Sequence, residues 1–190
     1  EVLSALESQA ASVTVQTDHP LLAEELLRHN AFPQVSVHAE QARTLLARNS
    51  GPYDRILVSI ESTMPAGSTG MDPLRKDALA TLEGLAALLD HLAPSGWLAV
   101  QRFLLPPPRA EFRLIATAIA ALEQRGWPAE EHLGVFRTLS TLMVVISHEP
   151  WSLQTRERFR KFCRNRGYAP VYYPGISSAE LNQGIRLPTP

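Results

Sequence analysis

The segment from Tyr53 to Val100 constrains the fold most, because it predicts a strand, a helix and a second strand in that order. Tyr53–Ile60 holds a short run of Ile, Leu and Val, which is typical of a strand buried on both faces. Asp72-Pro73 predicts a helix start, and leucines three and four residues apart continue that helix as far as Leu92. Trp97–Leu105 predicts the second strand. A strand, a crossover helix and a strand make a βαβ unit, the building block of a parallel sheet.

The remainder of the chain keeps the same alternation of strands and helices. Ser12–Gln16 and Gln34–His38 predict two further strands, each followed by a helix. Near the end, His132–Arg137 and Thr141–Ser147 predict strands whose short separation allows a hairpin and excludes a helical crossover. The predicted fold class is therefore α/β, with a mostly parallel sheet, helices on both faces and a C-terminal antiparallel hairpin.

The domain organisation follows from this order of elements. We expect residues 1–150 to form the α/β domain, and residues 151–190 to add a C-terminal helix and an extended tail packed on that domain. The chain starts directly on a helix-like segment and ends in Leu187-Pro188-Thr189-Pro190, an unusual end for a packed domain. We therefore expect the chain to be a fragment of a longer protein.

Charge and composition narrow the classes of function. With 18 basic and 19 acidic side chains the net charge is −1, which argues against a generally nucleic-acid-binding surface, so no nucleic-acid partner is expected. Cys163 is the single cysteine and cannot form an internal disulfide, which fits a reducing compartment, so we expect the cytoplasm. The six histidines lack the spacing of a zinc site, so no metal is expected. No run approaches the roughly 18 consecutive apolar residues of a membrane span.

Three short stretches resemble motifs of the S-adenosylmethionine-dependent methyltransferases. Tyr53–Ser59 (YDRILVS) resembles the YDxI start of that family's fourth strand, and Leu88–Val100 resembles its L-x-P-G-G-x-L approach to the fifth strand, with Ser95 in place of the first glycine. Val15–Leu27 (VQTDHPLLAEELL) resembles the acidic end of the second strand. Across roughly residues 1–150, the order of these motifs is closest to the spermidine-synthase-like, or aminopropyltransferase, branch of the fold.

This resemblance implies a Rossmann-like methyltransferase sheet that lacks its first strand and glycine-rich turn, because both would lie before Glu1. It also implies that the full-length parent binds S-adenosylmethionine, or its decarboxylated form, and transfers a methyl or aminopropyl group to a small-molecule acceptor that the sequence does not identify. The chain alone is expected to be inactive, since that turn holds the cofactor. Some relatives are attached to membranes, and a sheet without an internal strand could form a homodimer through its edge.

The resemblance also assigns the candidate site residues. The ribose-binding carboxylate of the family falls on Gln16, with Asp18 two residues further on, and the adenine-contacting aspartate falls on Gln41. The catalytic aspartate of aminopropyltransferases falls on Ser59, and Glu61 is the acid close by. The expected cofactor-binding residues are therefore Gln16, Asp18, Gln41 and Ser59, and the catalytic candidates are Ser59 and Glu61. A hydroxyl cannot replace a carboxylate as the base for an amine near neutral pH, which argues against spermidine synthesis.

Three of these residues also have a simpler interpretation. Asp18 could cap the helix that starts near Pro20, Gln41 could be a solvated residue in the first turn of a helix, and Ser59 could belong to an ordinary polar loop. A second hypothesis follows, in which the fold is a degenerate, non-catalytic module for partner binding or regulation. This hypothesis would explain Gln16, Gln41 and Ser59 together.

The predicted helix Ser152–Arg166 is the most basic part of the chain. Its cations could meet an anionic membrane surface or nucleic acid, or could form a solvated helix face. On its other side Leu153, Phe159 and Phe162 are expected to face the core, as Phe112 is in the preceding helix.

Overall fold

The computed structural model describes residues 2–29, 32–48, 51–60, 78–104 and 108–180. The chain divides into two compact units, Glu1–Ser50 and Gly51–Pro190. The division at residue 150 that the sequence suggests stays a prediction, and residues 181–190 lie outside the described part of the chain.

The first unit is a parallel pair of strands with three helices. In register, Val13 faces Val35 and Gln16 faces His38, so both strands point the same way and end together. Two residues on the helices are fully buried, Ala23 and Leu45. The elements are α1 (Val2–Glu7), β1 (Val13–Gln16), α2 (Pro20–Arg28), β2 (Val35–His38) and α3 (Ala42–Arg48).

The second unit is a five-stranded sheet with helices between its strands. Short 3₁₀ turns occur at Ala78–Ala80 and Ser178–Glu180. The elements are β3 (Tyr53–Ile60), α4 (Leu82–Asp90), β4 (Leu92–Phe103), α5 (Arg109–Glu123), α6 (Ala129–His132), β5 (Leu133–Arg137), β6 (Thr141–Ser147), α7 (Leu153–Arg166) and β7 (Ala169–Tyr172).

The strands of this sheet follow the order β3-β4-β6-β5-β7. Strands β3 and β4 are parallel, whereas β6 is antiparallel to both of its neighbours and β7 is antiparallel to β5. Strands β3, β4 and β5 therefore point one way, and β5 and β6 form the predicted hairpin. The α/β class, with parallel strands joined through helices and a closing antiparallel hairpin, is confirmed.

The core of the second unit lies between the sheet and helices α4 and α5. Leu98 on β4 and Ile146 on β6 are in register and fully buried, and Leu85 on α4 is fully buried as well. Helix α4 begins after its N-cap Thr81, whose hydroxyl accepts a hydrogen bond from the Gly84 N–H at 3.1 Å. The helix ends earlier than expected, since Leu92 already starts β4. The helix start proposed at Asp72-Pro73 lies outside the described residues.

Three expectations about buried faces are wrong. Leu57 on β3 is 46% exposed, because this strand lies at an edge of the five-stranded sheet rather than inside it. Leu153 at the start of α7 is 78% exposed, since that helix buries Cys163 instead. Phe112 is 66% exposed because α5 turns a different stripe inward. The residues that α5 buries are Glu111, Leu114, Ala118, Ala121 and Leu122.

Aromatic side chains join α7 and the C-terminal segment to the sheet. The Phe159 ring packs against Trp151 with a centroid distance of 5.0 Å and against Tyr173 at 5.6 Å. Phe162, although 43% exposed, packs edge-to-face on Phe136 and Tyr168 at 5.7 and 5.6 Å. Residues 151–180 therefore form part of the second unit. None of the helices in the described ranges has the length and apolar character needed to cross a membrane.

Candidate ligand-binding site

The candidate site lies at the carboxyl ends of β1 and β2. Because the strands are parallel and Gln16 is in register with His38, the segments that follow them start at the same edge. Ligands bind at this edge in open α/β sheets. A backbone hydrogen bond of 3.1 Å from the Thr17 N–H to the His38 carbonyl fixes the two ends relative to each other.

The Gln16 side chain joins the two strand ends. Its Nε2 donates to the backbone carbonyl of Glu40 at 2.6 Å, and the side chain is half-buried. Since a carbonyl can only accept, this contact fixes the orientation of the amide and leaves Oε1 as an acceptor on its other side. A carboxylate at this position could not make the same bond. The residue that the resemblance aligns with the ribose-binding acid therefore has a structural role of its own.

We expect Gln16→Glu to destabilise the first unit, although it introduces the acid that the resemblance places at this position. The carboxylate cannot donate to the Glu40 carbonyl, so two acceptors face each other, and the loss should be about 1–3 kcal/mol. Urea unfolding followed by far-UV circular dichroism measures this loss. Gln41→Glu makes the same chemical change at an exposed position and should stay within about 0.5 kcal/mol of wild type. Equal stabilities of the two variants would contradict the role of the Gln16 bond.

An ion pair beside Gln16 was not foreseen from the sequence. Both oxygens of the Glu40 carboxylate lie 3.1 Å from Nη1 of Arg48, and Nδ1 of His38 lies 3.7 Å from Glu40 Oε1. The Glu40 side chain is only 20% exposed. The Glu40 charge is therefore compensated inside the unit. Glu40 and Arg48 are eight residues apart, so the pair lacks the i,i+3 or i,i+4 spacing that would have signalled it in the sequence.

Asp18 is not the cap of α2. The N-cap is His19, whose Nδ1 accepts from the Leu22 N–H at 3.4 Å, and the His19 N–H donates to the Thr17 hydroxyl at 3.2 Å. The Asp18 carboxylate is exposed, and within the described part of the chain it has no hydrogen-bond or ion-pair partner. The capping interpretation of Asp18 is therefore wrong, and its charge is accessible to a ligand.

Gln41 precedes α3, and its carbonyl accepts from the Leu45 N–H at 3.0 Å. Its side chain is exposed, in line with the simpler interpretation, which does not exclude contact with a ligand. Ser59 belongs to the second unit, where it is exposed near the carboxyl end of β3 in register with Gln101 of β4. Glu61 lies outside the described residues. The roles of Gln41, Ser59 and Glu61 stay predictions.

The groups at this edge match a ribose diol better than a metal ion. Gln16 Oε1 and the Asp18 carboxylate are acceptors, and the two hydroxyls of a ribose are donors. In the described ranges, no three His, Cys, Asp or Glu side chains are grouped to hold a metal ion. Gln16 Oε1 and the Asp18 carboxylate are both acceptors of the kind that pair with hydroxyl donors.

The order of elements and the closing hairpin define the class of fold as that of the S-adenosylmethionine-dependent methyltransferases, in its Rossmann-like form. Among solved structures, the chain is similar to three spermidine synthases. One is described as a probable spermidine synthase from Corynebacterium glutamicum ATCC 13032, with a TM-score of 0.53 and 16% identity over 79% of this chain and 53% of that chain. Another was solved with the transition-state analogue AdoDATO, with a TM-score of 0.52 and 14% identity over 80% and 52%.

The third is the spermidine synthase from Thermotoga maritima, with a TM-score of 0.50 and 14% identity over 80% of this chain and 50% of that chain. The chain thus spans about half the length of these synthases. At such low identity the likeness shows the fold and not the activity. No protein-family model and no curated protein matches the sequence.

Proposed function

We propose that this chain is part of an S-adenosylmethionine-dependent transferase-like protein and binds the adenosine part of the cofactor at the ends of β1 and β2. The decarboxylated form of the cofactor would present the same adenosine. The observation that carries the proposal is the pair of acceptors there, Gln16 Oε1 and the Asp18 carboxylate, on a fold shared with spermidine synthases. One of those synthases was solved with AdoDATO.

The two acceptors differ in strength. A hydroxyl that donates to the ionised Asp18 makes a charge-assisted hydrogen bond, roughly twice as strong as a bond to a neutral amide. The Gln16 Oε1 is the weaker acceptor, but the bond from Nε2 to the Glu40 carbonyl holds it in one orientation. The exposed amide of Gln41 can both donate and accept, as the edge of an adenine requires. Asp18 is therefore the residue that should contribute most to ribose binding.

The reaction is group transfer to a nitrogen or oxygen of a small acceptor. When bound, the cofactor would supply the methyl or aminopropyl group, and this chain would contribute mainly by positioning it. A serine hydroxyl at Ser59 does not serve as the base for an amine, so spermidine synthesis is not proposed. The catalytic group stays unassigned between Ser59 and Glu61, and we expect no transfer by the chain alone.

We expect Asp18→Asn in the full-length protein to weaken binding of S-adenosylmethionine by at least about tenfold, because a charged acceptor is lost. Isothermal titration calorimetry with S-adenosylmethionine and with its decarboxylated form measures the change. Asp54→Asn is the matched control, since Asp54 is an exposed carboxylate on β3 outside the site. Unchanged affinity in the Asp18 variant would contradict the assignment of the ribose contact. No heat with either ligand at millimolar concentration would contradict the cofactor proposal as a whole.

The second candidate is a non-catalytic module for partner binding or regulation. The observation in its favour is that two polar groups at this edge bind other parts of the same unit, because the Gln16 amide binds Glu40 and the Glu40 charge binds Arg48. The residues upstream of Glu1 in the parent discriminate the two candidates. A glycine-rich turn there favours the transferase. Its absence, together with no heat of binding in the calorimetric titration with S-adenosylmethionine or its decarboxylated form, favours the module.

A further inference from the structure

The strongest concentration of charge lies on α7. Its fourteen residues carry six cations and one acid, Glu157, in a chain whose net charge is −1. The positive potential is therefore local to this helix and not a property of the whole surface. The cations are Arg156, Arg158, Arg160, Lys161, Arg164 and Arg166.

Two of these cations, Arg156 and Arg160, make contacts within the second unit. Arg156 Nε donates to the backbone carbonyl of Trp151 at 3.2 Å. Arg160 Nε lies 2.5 Å from an oxygen of Glu180 in the C-terminal segment. Burial raises the pKa of the Glu180 carboxyl. Hydrogen bonds from Ser177 and the positive charge of Arg160 outweigh this effect, so the pKa lies below its ordinary value. These contacts orient α7 on the second unit.

The other four cations point to solvent. Arg158, Lys161, Arg164 and Arg166 are exposed, and in the described part of the chain none of them forms an ion pair or a side-chain hydrogen bond. Four long cationic side chains with a single acid among them give this helix a local positive charge, which complements an anionic partner.

Two exposed apolar side chains lie on α7 and in the turn at the same end of the sheet. Phe162 is 43% exposed, and Leu139, in the turn between β5 and β6, is 85% exposed. Arg137 is in register with Ala169, which follows α7, so this turn and the C-terminal end of α7 lie at the same end of the sheet. The cationic surface is defined here as the four exposed cations together with these two apolar residues.

We propose that the cationic surface docks on an anionic lipid bilayer. A bilayer interface accepts both kinds of group, because acidic head groups attract the cations, Leu139 can enter the boundary of the acyl chains, and the exposed part of Phe162 can contact that boundary without leaving its place. A nucleic acid would neutralise the cations but leave Leu139 in water. The Phe162 ring is packed edge-to-face against Phe136 and Tyr168, so it is not free to insert between bases. The combination of charge and aliphatic surface favours lipid.

The test is co-sedimentation of the 190-residue chain with vesicles made of equal parts of phosphatidylcholine and phosphatidylserine. We expect binding to these vesicles and not to pure phosphatidylcholine. The double variant Lys161→Glu and Arg164→Glu should weaken binding by more than about thirtyfold. Leu139→Ser should weaken it by about fivefold, through the loss of apolar burial.

The matched control is the double variant Arg55→Glu and Arg109→Glu, which makes the same charge change at exposed positions outside α7. It should retain most of the vesicle binding, and unchanged thermal unfolding checks the fold of every variant. Absence of binding to the anionic vesicles, or equal losses in the two charge variants, would overturn the proposal. Binding of single-stranded RNA that depends on Lys161 and Arg164, without vesicle binding, would overturn it in favour of nucleic acid.

Discussion

Gly134→Ala is expected to destabilise the second unit by about 2–3 kcal/mol, because an added methyl group would overlap a tryptophan ring. A Cβ atom on Gly134 would lie 2.3 Å from Cη2 and 2.7 Å from Cζ2 of Trp151, and 3.4 Å from Cε2 of Phe159. Such distances require either the ring or the strand β5 to move. Gly134 lies on β5, which runs between β6 and β7, and it pairs with Val145 of β6, so a backbone shift would also disturb the pairing.

Movement of the Trp151 ring would cost free energy. The ring is 3% exposed, and its Nε1 donates to the His132 carbonyl at 3.1 Å. The ring also packs against Trp97 with a centroid distance of 5.4 Å and against Phe159 at 5.0 Å. A shift of the indole would therefore lose a buried hydrogen bond and open two aromatic contacts at once.

Urea unfolding monitored by tryptophan fluorescence measures this effect, because all three tryptophans lie in the second unit. Gly51→Ala is the control, since among the described residues no atom outside its chain neighbours lies within 4 Å of its added Cβ, and its stability should change by less than about 0.5 kcal/mol. In a Trp151→Phe background the smaller ring should make Gly134→Ala less costly. An equal cost in both backgrounds would show that the overlap with Trp151 is not the cause.

The positions of strands and helices along the chain were largely predictable from the sequence. Which strand lies at the edge of a sheet, and which face of a helix is buried, were not. The β-branched run in Tyr53–Ile60 predicted β3 with its observed bounds, and the short gap before Thr141 predicted the hairpin. The apolar run did not show that β3 lies at a sheet edge, because that depends on neighbours far along the chain. The prediction that Phe112 is buried was wrong for a related reason. The apolar residues of α5 allow more than one face of the helix to point inward, and packing against the sheet selects among these faces.

Only those residues of the candidate site that belong to short sequence motifs were predictable. Motif positions suggested Gln16, Asp18 and Gln41; Gln16 is the last residue of β1, and Asp18 and Gln41 follow β1 and β2. The bond from Gln16 to Glu40 joins residues 24 positions apart, and it exists because the strands pair in parallel register. No local pattern contains that information. Local preference also assigned the cap of α2 to Asp18, whereas the structure has His19 in that role.

Cys163 is expected to react with Ellman's reagent at pH 8 at least about a hundredfold more slowly in the folded chain than in the unfolded chain. The side chain is 1% exposed, and burial raises the pKa of the thiol from 9.0 to about 11. The reactive species is the thiolate, whose fraction falls tenfold for each unit by which the pKa rises. Burial of the sulfur slows the reaction further. Equal rates before and after denaturation would contradict this environment.

The same shift predicts how stability depends on pH. The unfolded chain loses the thiol proton near pH 9, whereas the folded chain keeps it until about pH 11, so the folded state binds more protons in between. Stability should therefore be unaffected by Cys163 below about pH 8 and should fall by about 2–3 kcal/mol between pH 9 and 11. Burial raises the pKa values of Tyr172 and Tyr173 as well, which adds to the loss. Urea unfolding of wild type and Cys163→Ala across this range separates the contribution of the thiol from that of the tyrosines. The variant should show only the smaller pH-dependent loss of stability that the tyrosines cause.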